Sequence, residues 1–163
     1  MIRFALPADA AAISDLYAPH VLTGTASFET EAPDTAEMAA RLARVQGKGW
    51  PWLVWDAGDS LLGYAYAAQF RDRAAYRATC ENSIYVAAPA ARQGIGRALL
   101  MALFDAARAA GFREMIAVIG DGGGNHASVG LHGSCGFVQA GHLTNVGQKF
   151  GRRLDIIYMQ RSL

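Results

Sequence analysis

The chain has 163 residues, 52% apolar and 18% charged, and 15 basic side chains against 14 acidic ones leave a net charge of +1. That balance excludes a disordered chain and an overall field that recruits nucleic acid or an anionic membrane, and the length suits one domain, residues 1–163, with a sizeable core. Cys80 and Cys135 make neither a disulfide framework nor a paired metal motif, no stretch reaches the ~20 apolar residues of a membrane span, and the N-terminus lacks a leader pattern, so a reduced, cytoplasmic protein is expected.

In chain order, "IRFAL" reads as a short strand. "ADAAAISDLYA" then sets Ile13, Leu16 and Tyr17 at helical spacing, with Asp9 as cap and Pro19 as the end. After the turn-rich "TGTASFETEAP", a second helix is predicted in "DTAEMAARLARV", where Asp34 and Glu37 have capping-box spacing and Met38, Leu42 and Val45 form one stripe. "WPWLVWDAGDSLLGYAYAAQF" reads as a hairpin about "DAGD". A charged interruption, "RDRAAYRATCE", precedes the strand "NSIYV".

Beyond the glycines of "RQGIGRALL", Ile95, Leu99, Leu103 and Ala106 or Ala107 share one helical face, which Gly111 ends. "EMIAVIG" is a buried strand. A loop "DGGGN", a short helix "ASVGLHGSC" stopped by Gly136, a strand "FVQAGHL", a loop "TNVGQKFGRR" and a last strand "LDIIYMQRSL" complete the chain. Alternating strands and helices without an internal repeat predict one α/β (α+β) domain with a mixed sheet.

The strand–glycine–helix junction carries the first functional signal. A helix start presents free N–H groups and a positive dipole end, which suit phosphate. Gly94 and Gly96 lack the Cβ atoms that would block close approach, and Arg92 and Arg97 add charge at the rim. Leu99 stands where a dinucleotide fingerprint has its third glycine, and Arg97–Ala98 replaces the lysine and hydroxyl residue of a P-loop, so neither ligand class fits.

"SIYV" followed by "RQGIGRALL" resembles the acyl-CoA pyrophosphate loop of the GCN5-related N-acetyltransferases, with Ala91 in the place of the usual Gln or Arg. "NHASVGLHGSCGF" is similar to the second signature of that family. With "TASFETEAP", "WPWLVW", "GYAYA", "AVIGD" and "VGQKFGRRLD", the likeness spans nearly the whole chain and points to the phosphinothricin and methionine sulfoximine acetyltransferase branch.

The resemblance implies a single-domain fold whose central mixed sheet splays and is flanked by helices, with acetyl-CoA as co-substrate; His126 and His132, six apart, have the wrong spacing for two ligands on one helical face, so no metal is expected. It implies that Ile84, Tyr85 and Val86 hold the pantetheine arm, that Arg92, Gln93, Gly94, Ile95, Gly96 and Arg97 hold the diphosphate, and that Asn125 contributes to the same site. Glu81 falls at the position of the catalytic glutamate and takes the amine's proton, directly or through water. His132 stands where this branch has a histidine and the wider superfamily a tyrosine that protonates the departing thiolate, so it is assigned acid or base work. Cys80, with no adjacent histidine, is not expected to act as a nucleophile.

Acceptor binding is carried over to Ala74, Ala75 and Tyr76, with Phe28, Lys149 and Phe150 as weaker candidates, and Arg71 and Arg73 add cations suited to a carboxylate or phosphinate. The expected activity is direct acetyl transfer to the α-amino group of a small amino-acid analogue, in a homodimer as the resemblance implies, with no nucleic-acid or membrane partner. Its rivals are acetylation of a peptide N-terminus or another amine, and a CoA-binding sensor without turnover.

Overall fold

A computed structural model describes all 163 residues. Its elements are β1 (Ile2–Phe4), α1 (Ala10–Leu22), α2 (Thr35–Gly47), β2 (Trp52–Asp56), β3 (Leu61–Gln69), β4 (Thr79–Val86), α3 (Ile95–Ala109), β5 (Glu114–Gly120), α4 (His126–Ser134), β6 (Val138–Lys149) and β7 (Arg152–Ser162). One seven-stranded sheet runs in the order β1-β2-β3-β4-β5-β7-β6. Only β4 and β5 pair in parallel; every other neighbour is antiparallel. No helix is long and apolar enough to cross a membrane.

Alternation along the central strands sorts the two cores. In β3, Tyr64 and Tyr66 face α1 and α2, where Trp52 and Val54 meet Ile13, Tyr17, Met38 and Leu42. Ala65 and Ala67 face the other way, beside Leu53 and Cys80, and α3 covers them with Ile95, Leu99, Leu103 and Ala107. Small residues on that face let α3 sit close: a Cβ at Gly63 would lie 3.0 Å from Leu99 Cδ1. Each large side chain buried in this way contributes about 1.5–3 kcal/mol.

Four local expectations are corrected. Pro19 lies inside α1, which continues to Leu22. Asp15, whose carbonyl loses its donor to the proline, is exposed like Pro19, so that oxygen faces water and the helix survives. Asp9 does not cap α1: its carboxylate accepts from Arg3 and from the Leu6 N–H within a short 3-10 turn. The α2 box is half formed, since Asp34 accepts from the Glu37 N–H at 2.8 Å while the Glu37 carboxylate turns to Arg41.

The largest correction concerns "TNVGQKFGRR", which is mostly strand. β6 and β7 run on to a two-residue turn at Phe150 and Gly151, both with positive φ, as a tight hairpin demands. A register shift between Leu143 and Gly147, with Asn145 at φ 59, hides the alternation that marks a strand.

Candidate active site

β4 and β5 pair from Thr79↔Glu114 to Asn82↔Ala117 and then part. Beyond that fork Ser83 to Val86 pair with β3 alone, and Val118 to Gly120 with β7 alone. A cleft of about 1180 Å³ opens between them. Its walls include Ile84, Tyr85 and Val86 of β4, Ala117 to Gly120 of β5, the start of α3 and the start of α4.

The ladder decides which peptide groups remain free. Opposite pairs alternate in an antiparallel sheet, and the Ala87 N–H bonds the Leu62 carbonyl. In that register Tyr85 also turns its peptide groups to β3, whereas those of Ile84 and Val86 face the cleft. The Val86 carbonyl there accepts from His20 Nε2 at 3.1 Å. Ile84 and Val86 are thus placed to pair with an extended, amide-bearing arm, while Tyr85 contributes its ring, which stands edge-on to Tyr17 at 4.7 Å.

At the other end, Gly94 caps α3 with φ 83, and Arg92 before it also has a positive φ of 63. This double left-handed turn aims the first free amides of α3, those of Ile95, Gly96 and Arg97, at one spot. Gly96 faces α4 closely: a Cβ would lie 3.3 Å from Leu131 Cδ2 and 3.6 Å from Val86 Cγ2. Arg92, Gly94, Gly96 and Arg97 line the cleft; the Ile95 side chain is buried in the core, and the Gln93 amide is bonded to the Pro89 carbonyl at 3.0 Å. Asn125 lines it too and caps α4, accepting from the Ser128 N–H and donating to the Gly120 carbonyl, each at 3.3 Å. Two helix starts therefore open into one cleft, a geometry that suits a diphosphate.

Glu81 belongs to β4 itself, not to the loop before it. Opposite Ala68 in the β3–β4 ladder, it faces the α1 and α2 side, and the same cleft reaches it. Burial pushes its carboxyl above the usual carboxylate range, and the charge of Arg71 opposes that rise. It has no hydrogen-bond partner within the protein, which leaves it free to accept a proton. The next residue, Asn82, faces α3 and α4, and its Oδ1 lies 3.1 Å from His132 Nε2. His132 lines the cleft yet is 2% exposed, its pKa lowered by burial against the raising effect of the Ser128 carbonyl. Burial pushes the Cys80 thiol up to about 12, so it carries no thiolate to act as nucleophile.

The segment from Thr25 to Glu29 closes the cleft on the side of α1. Thr25 Oγ1 donates to Asp121, Lys149 Nζ donates to the Ser27 carbonyl at 2.8 Å, and the Tyr17 hydroxyl meets Ser27 Oγ at 2.7 Å and Glu29 at 2.9 Å. Arg41 grips the Glu29 carboxylate at 2.7 and 3.0 Å. Phe28 lies in the cleft wall against Gly120 and Gly147, where a Cβ on either glycine would overlap the segment. Gly120→Ala is accordingly expected to raise the KM of the acceptor, leave the KM of acetyl-CoA near its starting value and lower stability by about 1–3 kcal/mol. Steady-state kinetics together with a thermal melt check this split.

Of the acceptor candidates, only Phe28 is in the wall. Arg71, Arg73, Ala74, Ala75 and Tyr76 form an exposed loop between β3 and β4, where Phe70 lies between Arg71, at 4.4 Å, and Tyr76, at 5.9 Å. Lys149 is buried on Ser27, and Phe150 is exposed at the hairpin turn. Tyr17, His20, Glu29, Tyr66 and His126 line the cleft without having been singled out in the sequence. Their local spacing marks helix or strand faces, and nothing local shows that α1 and β4 share a wall.

A cleft of this form admits a long, phosphate-ended thioester through the opened sheet and leaves the opposite face to a nucleophile, which makes the protein an acyl transferase by class. The profile of the acetyltransferase (GNAT) domain matches residues 2–158, and the chain belongs to that family. It is an acetyl-CoA-dependent N-acetyltransferase. Among its relatives is a phosphinothricin N-acetyltransferase of Alcaligenes faecalis, 51% identical over 99% of this chain and 82% of that protein. An L-methionine sulfoximine/L-methionine sulfone acetyltransferase of Pseudomonas aeruginosa is 40% identical over 99% of this chain and 94% of its own length. A phosphinothricin acetyltransferase of Sinorhizobium meliloti, solved in complex with acetyl-CoA, superimposes with a TM-score of 0.94 at 44% identity, covering 100% of this chain and 88% of that one.

Proposed function

We propose that this enzyme acetylates the α-amino group of a small amino-acid analogue of the phosphinothricin or methionine sulfoximine and sulfone type, by direct transfer. The observation that carries this reading is the unpartnered, half-buried Glu81 at the fork, facing the side that the 25–29 segment encloses. The co-substrate supplies the activated acetyl thioester; the free amides of α3 and the N-terminus of α4 hold its diphosphate end, and the peptide groups of Ile84 and Val86 hold its arm. An α-amino group with a pKa of roughly 8 must lose a proton to react, and Glu81 accepts it. A peptide N-H directed at the thioester oxygen stabilises the charge that develops there.

Phe28 is assigned to the acceptor's side chain; the 71–76 loop lies outside the cleft wall, and Arg71, whose charge acts on Glu81, supports a role for it and for Arg73, Ala74, Ala75 and Tyr76 at the rim, toward the acceptor's anionic groups. Lys149 acts by fixing the Ser27 carbonyl, and Phe150 belongs to a surface for a second copy. That surface is the edge strand β6, which exposes Val138, Leu143 and Val146 beside Phe150 and offers its unpaired edge to a homodimer. Use of acetyl-CoA, an intracellular co-substrate, supports a cytoplasmic location.

An amine panel with acetyl-CoA tests the reading. Phosphinothricin, methionine sulfoximine and methionine sulfone are expected to give kcat/KM at least about tenfold above a peptide N-terminus, equivalent to ~1.4 kcal/mol of preference. A peptide acetylated best would overturn the acceptor assignment, and CoA binding without turnover of any amine would overturn catalysis.

A further inference from the structure

The His132 ring is sealed between α4 and β4, and each of its nitrogens faces an oxygen. Nδ1 lies 2.8 Å from the Ser128 carbonyl and Nε2 lies 3.1 Å from Asn82 Oδ1. A neutral imidazole with its proton on Nε2 donates to Asn82 and can accept at Nδ1 from Ser128 Oγ at 3.3 Å; the imidazolium donates to both Asn82 and the Ser128 carbonyl. Asn82 is 5% exposed and is the last β4 residue paired to β5, so its amide sits at the apex of the fork. Its Nδ2 reaches toward the Ile116 carbonyl at 3.5 Å, which turns Oδ1 to the ring.

We propose that Asn82 is the positioning residue of His132: its amide oxygen holds the Nε2 proton of the imidazolium at the fork, where that proton can pass to the departing sulfur. This rests on the reading of His132 as the acid. The step balances as follows: Glu81 takes the proton that the attacking nitrogen loses, the C–N bond forms, and the C–S bond breaks with its electron pair on sulfur. His132 gives its Nε2 proton to that sulfur and is left neutral. Glu81 then releases one proton to solvent and His132 takes one up, which restores both groups.

Consecutive residues of one strand thus serve the two reactants from opposite faces of the sheet. The titratable groups of the elements around the ring are Cys80, Glu81 and Tyr85 of β4, Arg97, Asp105 and Arg108 of α3, Glu114 of β5, His126 at the head of α4, Cys135 after it, and Arg152, Arg153, Asp155, Tyr158 and Arg161 of β7. None of them is a hydrogen-bond partner of the imidazole. Phe137 stands edge-on to it at 5.0 Å, and Arg161 lies over Phe104 and donates to the Cys135 carbonyl. Burial still lowers the His132 pKa on balance, so the contacts with Ser128 and Asn82 oppose that effect without cancelling it.

The test is an NMR titration of His132 in the full-length protein, alongside kinetics, for the wild type, Asn82→Ala and Asn82→Asp. Asn82→Ala is expected to lower the His132 pKa by about one unit and kcat at neutral pH by about tenfold, with the KM of acetyl-CoA unchanged. Asn82→Asp, of the same size, is expected to raise that pKa and restore much of kcat, which a merely structural role would not do. An unshifted His132 titration in both variants, or a loss confined to KM, overturns the assignment of Asn82. His132→Ala separates the two levels: wild-type activity without the imidazole overturns the acid role itself, whatever the titration shows.

Discussion

Glu81→Gln is expected to lower kcat by about 100- to 10,000-fold while acetyl-CoA still binds, because the amide keeps the shape of the side chain and cannot accept a proton. The pH dependence follows from the direction of its shift. Burial raises the Glu81 pKa, so the basic carboxylate form predominates only above that raised value. As pH falls through it, kcat should fall, on a limb lying above the ~4.3 of an ordinary glutamate. Arg71→Ala removes the charge that opposes the rise and should move this limb to still higher pH. A kcat–pH profile of the three proteins checks the order, and an unchanged kcat in Glu81→Gln would remove Glu81 from the chemistry.

Gly94→Val should raise the KM of acetyl-CoA by more than about tenfold, and the backbone adds a second reason to the one the sequence suggests. A Cβ on Gly94 meets no protein atom within 4 Å, so the crowding expected of it is against the approaching phosphate alone. The backbone is a further constraint: at φ 83 a β-branched residue is disfavoured by more than the roughly 1–2 kcal/mol typical of left-handed L-residues, so the turn would relax and swing the α3 amides away. Gly94→Asn, which tolerates this region, should cost far less. Calorimetric titration of acetyl-CoA against both variants decides the matter; equal, unaltered affinities would show that the turn does not hold the diphosphate.

The contrast marks what was legible beforehand. Strands and helices with a regular apolar period, such as Ile95, Leu99 and Leu103 on α3, declare their buried face because burial acts on single positions. β6 does not, because an edge strand exposes nearly every side chain and its irregular register breaks the alternation. Gly94 was noticed as a glycine, but φ belongs to the fold. Motif likeness points to the α3 turn, Glu81 and His132, whereas Tyr17, His20 and Glu29 reach the cleft by contacts across long stretches of chain. The Asn82–His132 contact is of that kind, joining residues 50 apart.

The clamp of Lys149 and Gly147 on the 25–29 segment bears on how the enzyme is made. Thr25 to Glu29 leave the ribosome early, but the groups that seat Ser27 and Phe28 belong to the C-terminal hairpin and emerge nearly last. The α3 turn is complete in sequence long before the hairpin that seats the 25–29 segment, so that wall of the cleft can close only once the last two strands have been made.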